Sequence, residues 1–269
     1  MKKIVLFALA VVMLAGMLLL PASCGKKEEA KLICGITDFE PMNFRDASGN
    51  WTGFDTEFAR LVAEKLGMEI VFQEIAWAQK YNELESGAIT CIWNGFTANA
   101  VESETGVPRS QLVDFSYSYM LNQQCVVVRA DRAGEFNSVG DVAGMTAAAE
   151  KGSAGESAAN DLVGDGGSVV DVPAQINSFI EVKSGAVDCA VVDILLAQSL
   201  VGTGDYSDLA ITNIPLDSEL YAVGFKKGDG LRDRVNTAMK ELYDAGTLME
   251  LARKYGLENT LILDTTFGR

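Results

Sequence analysis

The sequence predicts an α/β fold of two lobes, each a mostly parallel sheet flanked by helices. Three observations carry that expectation. After residue 30, apolar β-favouring runs alternate with segments of helical periodicity, the pattern of strand-helix-strand units. The predicted helices stop at glycine, and a strand follows at once. One such joint also recurs. Ser86-Gly87-Ala88-Ile89-Thr90-Cys91-Ile92 is echoed 98 residues later (184 − 86 = 98) by Ser184-Gly185-Ala186-Val187-Asp188-Cys189-Ala190. The echo is short: it marks either equivalent strands of two lobes or two ordinary helix-glycine-strand joints.

The elements follow in order. Residues 32–36 form the first strand. Asp55 is the expected N-cap of a helix carrying Phe58, Leu61, Val62 and Leu66 and stopped by Gly67. Residues 69–74, with Ile70, Val71 and Phe72, are the next strand; a helix with Tyr81 and Leu84 ends at Gly87, and residues 89–93 are again a strand. The pattern restarts after Val128, with strands at 145–149, 169–172 and 187–192 and helices at 154–162 and around Ile176, Phe179 and Ile180. The two echoed strands end at Asn94-Gly95 and at Asp193. Open α/β sheets bind ligands beyond the carboxyl ends of their strands, so facing lobes present both segments to one cleft.

Length and composition bound the function. A chain of 269 residues makes one large or two ordinary domains and buries a core without staples. There is no histidine, which removes Ser-His-Asp and Cys-His catalysis and histidine zinc sites. The net charge of −15 repels phosphate backbones and argues against nucleic acid as a partner. No cofactor and no metal site is expected. Cys34, Cys91, Cys125 and Cys189 form no CxxC pair, so metal or thioredoxin-like chemistry is not expected. They are read as four buried thiols, with a Cys34–Cys91 disulfide as the alternative if their strands are neighbours.

Met1-Lys2-Lys3, the apolar run 4–20 and Pro21-Ala22-Ser23 read as a signal peptide over residues 1–23. The alternative is an uncleaved anchor, since the run is nearly long enough to span a bilayer. Cys24 after Ala22-Ser23 resembles a bacterial lipobox, although Pro21 stands where leucine is usual. That resemblance implies diacylglyceryl and palmitate attachment at Cys24, with residues 24–30 as a linker from a lipid anchor in the membrane. The chain is then exported, either held at the outer face of the cytoplasmic membrane or periplasmic.

Several blocks are specific. They are Thr37-Asp38-Phe39-Glu40-Pro41-Met42-Asn43-Phe44, Gly53-Phe54-Asp55, Asn94-Gly95-Phe96-Thr97, Val113-Asp114-Phe115-Ser116, Glu150-Lys151-Gly152-Ser153 and residues 187–193. Over about residues 31–256 they make the chain resemble the amino-acid-type (family 3) solute-binding proteins of bacterial ABC transporters. The resemblance implies a periplasmic-binding-protein fold, with lobe one at 31–126 and 221–269 and lobe two at 127–220. The segments 124–129 and 219–225 would cross between the lobes. It further implies an amino-acid ligand, ABC permease subunits as partners, and a monomer.

Asp193, ending an apolar strand, matches the family's ammonium-binding acid; the alternative is a capping or salt-bridged aspartate. Gly152-Ser153-Ala154 opens a helix whose free N–H groups and dipole suit a carboxylate. The family's arginine, expected soon after Gly95-Phe96-Thr97, is missing there. Arg109 stands five residues before Asp114, at the family's spacing, so residues 101–107 read as an insertion and Arg109 as the carboxylate clamp. The alternative is a solvated Arg109 with backbone amides alone holding the carboxylate. Trp77 and Phe39 match the family's aromatic positions and either sandwich the ligand or belong to the core. Asp38 adds negative charge beside them, or is a solvated loop acid. Asn94, Gly95, Phe96 and Thr97 complete the expected site.

Three functions compete on these residues. One is a non-catalytic binding protein that closes on an amino acid and delivers it to a permease. A second is a ligand sensor read by a separate membrane receptor. The third is an enzyme, a dehydratase or lyase, on the same scaffold, although no paired acids stand at a compelling spacing. The binding protein is the expected function, and the chain is expected not to be an enzyme.

Overall fold

Strands and helices alternate as expected in a computed structural model, which describes residues 30–266. The expected signal peptide, Cys24 and most of the linker lie outside the described residues. In chain order the first half contains β1 (Lys31–Ile36), β2 (Phe44–Arg45), β3 (Trp51–Thr52), α1 (Phe54–Leu66), β4 (Glu69–Glu74), α2 (Lys80–Ser86), β5 (Cys91–Ile92), α3 (Arg109–Leu112) and β6 (Asp114–Phe115). A long strand, β7 (Ser118–Arg129), leads into β8 (Thr146–Glu150), α4 (Ala154–Val163), β9 (Ser168–Val172), α5 (Gln175–Ser184), β10 (Cys189–Asp193), α6 (Ile194–Leu200) and β11 (Leu209–Ile211). The chain returns through β12 (Ser218–Tyr221) and β13 (Gly224–Phe225) to α7 (Leu231–Asp244), α8 (Thr247–Lys254) and β14 (Leu261–Asp264).

Two main sheets result. The first has the order β4-β1-β5-β13-β6, and the second β11-β7-β10-β8-β9 with β12 and β14 also paired to β7. Their centres are parallel: β1 with β4 and β5, β8 with β9 and β10. Antiparallel pairing enters where the chain doubles back, at β13 and along β7. The first half of β7 pairs with β12, Met120 facing Tyr221, and its second half with β10, Gln124 facing Asp193. One continuous strand therefore passes from the neighbourhood of the first sheet into the second. The segment 124–129, expected only to cross between lobes, is the second half of this strand, whose first half, residues 119–123, carries no β-branched residue to signal it.

The recurring joint is real in three dimensions. Gly87 and Gly185 both cap their helices in the left-handed conformation, φ 78° and 75°, a geometry that glycine adopts without a Cβ penalty. Strands β5 and β10 then follow, each with a parallel neighbour.

Asp55 is a correction. Gly53, not Asp55, occupies the N-cap of α1, and Asp55 lies inside the first turn, fully buried. Its Oδ2 accepts from the Gly95 N–H (2.7 Å) and the Tyr119 hydroxyl (2.9 Å), tying α1 to the end of β5 and to β7. Burial pushes its pKa up to about 7.

The carboxyl-terminal helices return to α1, as the resemblance implies. α7 and α8 pack on it, and Lys254 Nζ and the Tyr255 hydroxyl both reach the Glu57 carboxylate at 2.6 Å. All four cysteines among the described residues are buried free thiols. Cys34 and Cys91 do sit opposite one another on β1 and β5, with sulfurs 3.6 Å apart. No described helix is long and apolar enough to cross a membrane.

Candidate functional site

The two echoed strand ends and the start of α4 converge on one cluster of buried polar groups. At the end of β10, the Asp193 carboxylate accepts from four neutral donors: Asn122 Nδ2, Gln124 Nε2 (3.1 Å), Gln175 Nε2 (2.5 Å) and the Tyr221 hydroxyl (2.6 Å). Burial raises its pKa, and these donors only partly offset that. Among the described residues, no cation touches it. A second carboxylate, Glu219 of β12, shares two of those donors, accepting from Asn122 (2.6 Å) and Gln124 (3.1 Å) and also from Thr97 Oγ1 (3.1 Å). Burial, with Asp193 close by, pushes Glu219 up to about 7.

Arg109 is buried, and the loop over residues 101–108 explains how it arrives there. Val101 and Pro108 form an antiparallel bridge, and Glu102 N–H donates to Val107 O (3.0 Å), so this loop closes on itself. Arg109 N–H then reaches Ala100 O at 3.0 Å, which restores continuity with the end of β5. The guanidinium donates from Nε to Glu102 Oε1 (2.7 Å), from Nη1 to Thr97 O (3.2 Å) and from Nη2 to Gly152 O (3.2 Å). It also lies over the Phe96 ring, 5.0 Å from its centroid. Thus Phe96 supports Arg109 from below, within a cluster that includes Trp77, Tyr81 and Phe115.

Beside it, Lys80 donates to Gly152 O (2.8 Å) and lies 3.6 Å from Glu102 Oε2. Burial, and the adjacent Arg109 charge, push Lys80 down to about 8. For Glu102 burial acts upward, but Arg109 and Lys80 outweigh it and hold the carboxyl below its usual range.

The N-terminus of α4 is capped from within. Ser153 Oγ accepts from Glu156 N–H (3.0 Å), and Glu156 Oε2 accepts from Gly152 N–H (2.8 Å) and Ser103 Oγ (2.8 Å). Ala154 and Gly155, in the first turn, keep N–H groups with no acceptor inside the helix. Gly155 lets this turn sit close on β10: a Cβ there would stand 2.7 Å from Val191 O. Ala154, Thr97 and Glu219 line a cavity of about 720 Å³, whose wall includes Asp161 and Asp217 and no lysine or arginine.

Other expected site residues have different surroundings. Asn94 is tied into the fold: its Oδ1 accepts from Thr37 N–H and Asn43 Nδ2, both 2.9 Å, and its Nδ2 donates to Thr37 Oγ1 (2.6 Å). Gly95 carries the N–H bound by Asp55 and abuts the Phe39 and Tyr221 rings. Phe39 meets Tyr221 edge-on at 6.4 Å, and Trp77 meets Phe96 edge-on at 5.4 Å, so both aromatics are buried with packing partners. Asp38 is exposed, with Glu74 and Arg45 as its charged neighbours, away from the cluster.

Sequence reasoning missed Lys80, Glu102, Glu150, Glu219 and the amides Asn122, Gln124 and Gln175. Glu150 did carry a signal, as an acid closing the run Ala147-Ala148-Ala149 immediately before Gly152-Ser153. Lys80 carried none, since a lysine at a helix start reads as surface.

Two mixed sheets flanked by helices, with buried polar groups gathered where their strand ends meet, define a solute-binding protein fold. Residues 32–258 match the model of bacterial extracellular solute-binding proteins, family 3, and the chain belongs to that family. It is 28% identical over 234 residues to the arginine-binding extracellular protein ArtP of Bacillus subtilis (strain 168), covering 86% of this chain and 87% of that one. A substrate-binding protein of an ABC uptake transporter from Streptococcus pneumoniae, with bound histidine, superposes with a TM-score of 0.76 at 30% identity, over 86% of this chain and 94% of that one. An ancestral amino-acid-binding protein, described as a precursor of cyclohexadienyl dehydratase, gives a TM-score of 0.74 at 26% identity, over 84% and 95%.

Proposed function

We propose that this protein captures an amino acid between two closing lobes and delivers it to the permease of an ABC importer. Lobe one comprises residues 31–126 and 221–269, and lobe two residues 127–220, with β7 and β12 as the connecting strands. Asp193 takes the ligand ammonium in place of part of its neutral shell. Arg109 and the free N–H groups of Ala154 and Gly155 take the carboxylate, a charge that a helix N-terminus and a guanidinium both favour. Phe39 and Trp77 flank the ligand's side chain once the lobes part. Closure then follows from contacts the ligand makes to both lobes at once.

The observation that carries this reading is the buried Asp193 carboxylate, held by neutral donors alone among the described residues, with the buried Arg109 charge acting on the same neighbouring carboxyls, Glu150 and Glu219. We further propose that the chain acts without catalysis, as a monomer, exported and anchored through lipid on Cys24. Calorimetry and thermal shift against the common amino acids test the binding function. Tight, stoichiometric binding of one or a few, abolished by Asp193→Ala, is expected; a flat screen would overturn it. Conversion of the bound ligand to product on prolonged incubation would instead establish an enzyme.

A further inference from the structure

We propose that Glu150 is the counter-ion for a second positive charge on the ligand, so that the captured amino acid has a cationic side chain. This deepens the amino-acid-binding function above and rests on it. Glu150 ends β8, is only 2% exposed, and has a buried Oε1 with no hydrogen-bond partner. An orphaned buried carboxylate is costly unless something positive meets it.

The charged groups around it are Asp193 of β10, Lys80 of α2 and Arg109 of α3. Both cations are already engaged, by the Glu102 carboxylate and by the carbonyls of Thr97 and Gly152, and neither donates to Glu150. Glu219 is not the orphan, because Thr97, Asn122 and Gln124 all donate to it.

The balance of charge points the same way. With every carboxyl ionised, Glu102, Glu150, Asp193 and Glu219 outnumber Lys80 and Arg109, and the adjoining cavity wall adds Asp161 and Asp217. A neutral zwitterion engages Asp193 and Arg109 and leaves that excess unchanged. A guanidinium or a second ammonium reduces it at Glu150, the carboxylate of this group with a buried oxygen that has no partner. With the site empty, burial and Asp193 push Glu150 up to about 8, so it holds a proton near neutrality. The incoming cation replaces that proton, which passes to solvent.

Calorimetry on the purified protein tests this with L-arginine, L-lysine and L-ornithine against the uncharged analogues L-citrulline and L-norleucine. One cationic ligand should bind about 10- to 100-fold more tightly than its uncharged analogue, the range of a hydrogen bond to a charged group. Its binding enthalpy should vary with the ionisation enthalpy of the buffer, reporting proton release. In Glu150→Gln the preference and the buffer dependence should both vanish, with affinity for the uncharged analogue retained; Glu150→Met serves if that variant does not fold. Equal loss for charged and uncharged ligands would mark Glu150 as structural and overturn the proposal. So would a wild-type protein that binds only uncharged amino acids, which leaves the general function standing. Failure to bind any amino acid would overturn both.

Discussion

Arg109 and Lys80 are each 1% exposed, and they are stable there because Glu102, at 13%, lies between them. Two buried cations so close would otherwise repel; Arg109 already pushes the Lys80 pKa down. Glu102 comes from the loop over residues 101–108 and also accepts from the Tyr81 hydroxyl at 2.6 Å. Glu102→Ala should therefore cost about 3 kcal/mol of stability in urea denaturation, the lower end expected for breaking a buried pair. The exposed pair Lys240–Asp244, an i,i+4 contact on α7, provides the contrast. Asp244→Ala should cost no more than about 0.5 kcal/mol, because water screens both partners. A loss at Glu102 no greater than that at Asp244 would mean the loop does not brace the arginine.

At the scale of elements, the close seating of α4 on β10 positions the proposed carboxylate site. Gly155 makes this approach, with Val191 O where a Cβ would have to fit. Gly155→Ala should push the first turn of α4 off the strand. The expected result is a ligand affinity reduced about tenfold or more, since displacing donors by a fraction of an ångström weakens charge-assisted bonds. Calorimetry with whichever amino acid binds the wild type measures it. Gly185→Ala, at the end of α5, should instead cost about 1 kcal/mol of stability and leave affinity unchanged, because only the left-handed cap is strained. Equal affinity in the two variants would refute the role given to Gly155.

Across the whole molecule, the cluster makes stability depend on pH in an unusual direction. Asp55, Glu150 and Glu219 are pushed up by burial to about 7, 8 and 7. A carboxyl with a higher pKa in the folded than in the unfolded chain binds its proton more tightly when folded. Its contribution favours folding at low pH and fades as pH rises through the folded value. Carboxyls held low, such as Glu57, Glu102, Asp114 and Asp188, titrate below the usual range near 4 and are fully ionised by pH 5.5. Lys80, held down to about 8, acts only above that value. The ligand-free protein should thus lose thermal stability steadily between about pH 5.5 and pH 8. A Tm that is flat or rising over that window would show that these carboxyls are not buried in solution. A bound cation should flatten the slope.

The alternation of strands and helices, the helix stops at Gly67, Gly87 and Gly185, the buried thiols and the strand ends at Gly95 and Asp193 were legible in the sequence. Each depends on residues within one turn or one strand, where periodicity and glycine chemistry act locally. Arg109 was singled out through its spacing to Asp114, and the fold buries it rather than leaving it solvated. The partners of the site were not. Asn122 and Gln124 read as ordinary polar residues of a strand, and Asp55 as a cap until the fold turned it toward Gly95, 40 residues away. Lys80, Glu102 and Arg109 become one group only when α2, the loop over residues 101–108 and α3 pack together. Which carboxylates are paired and which, like Glu150, stay open was decided by tertiary structure alone. Burial and the distance between charges set their energies, and both exist only once remote segments meet.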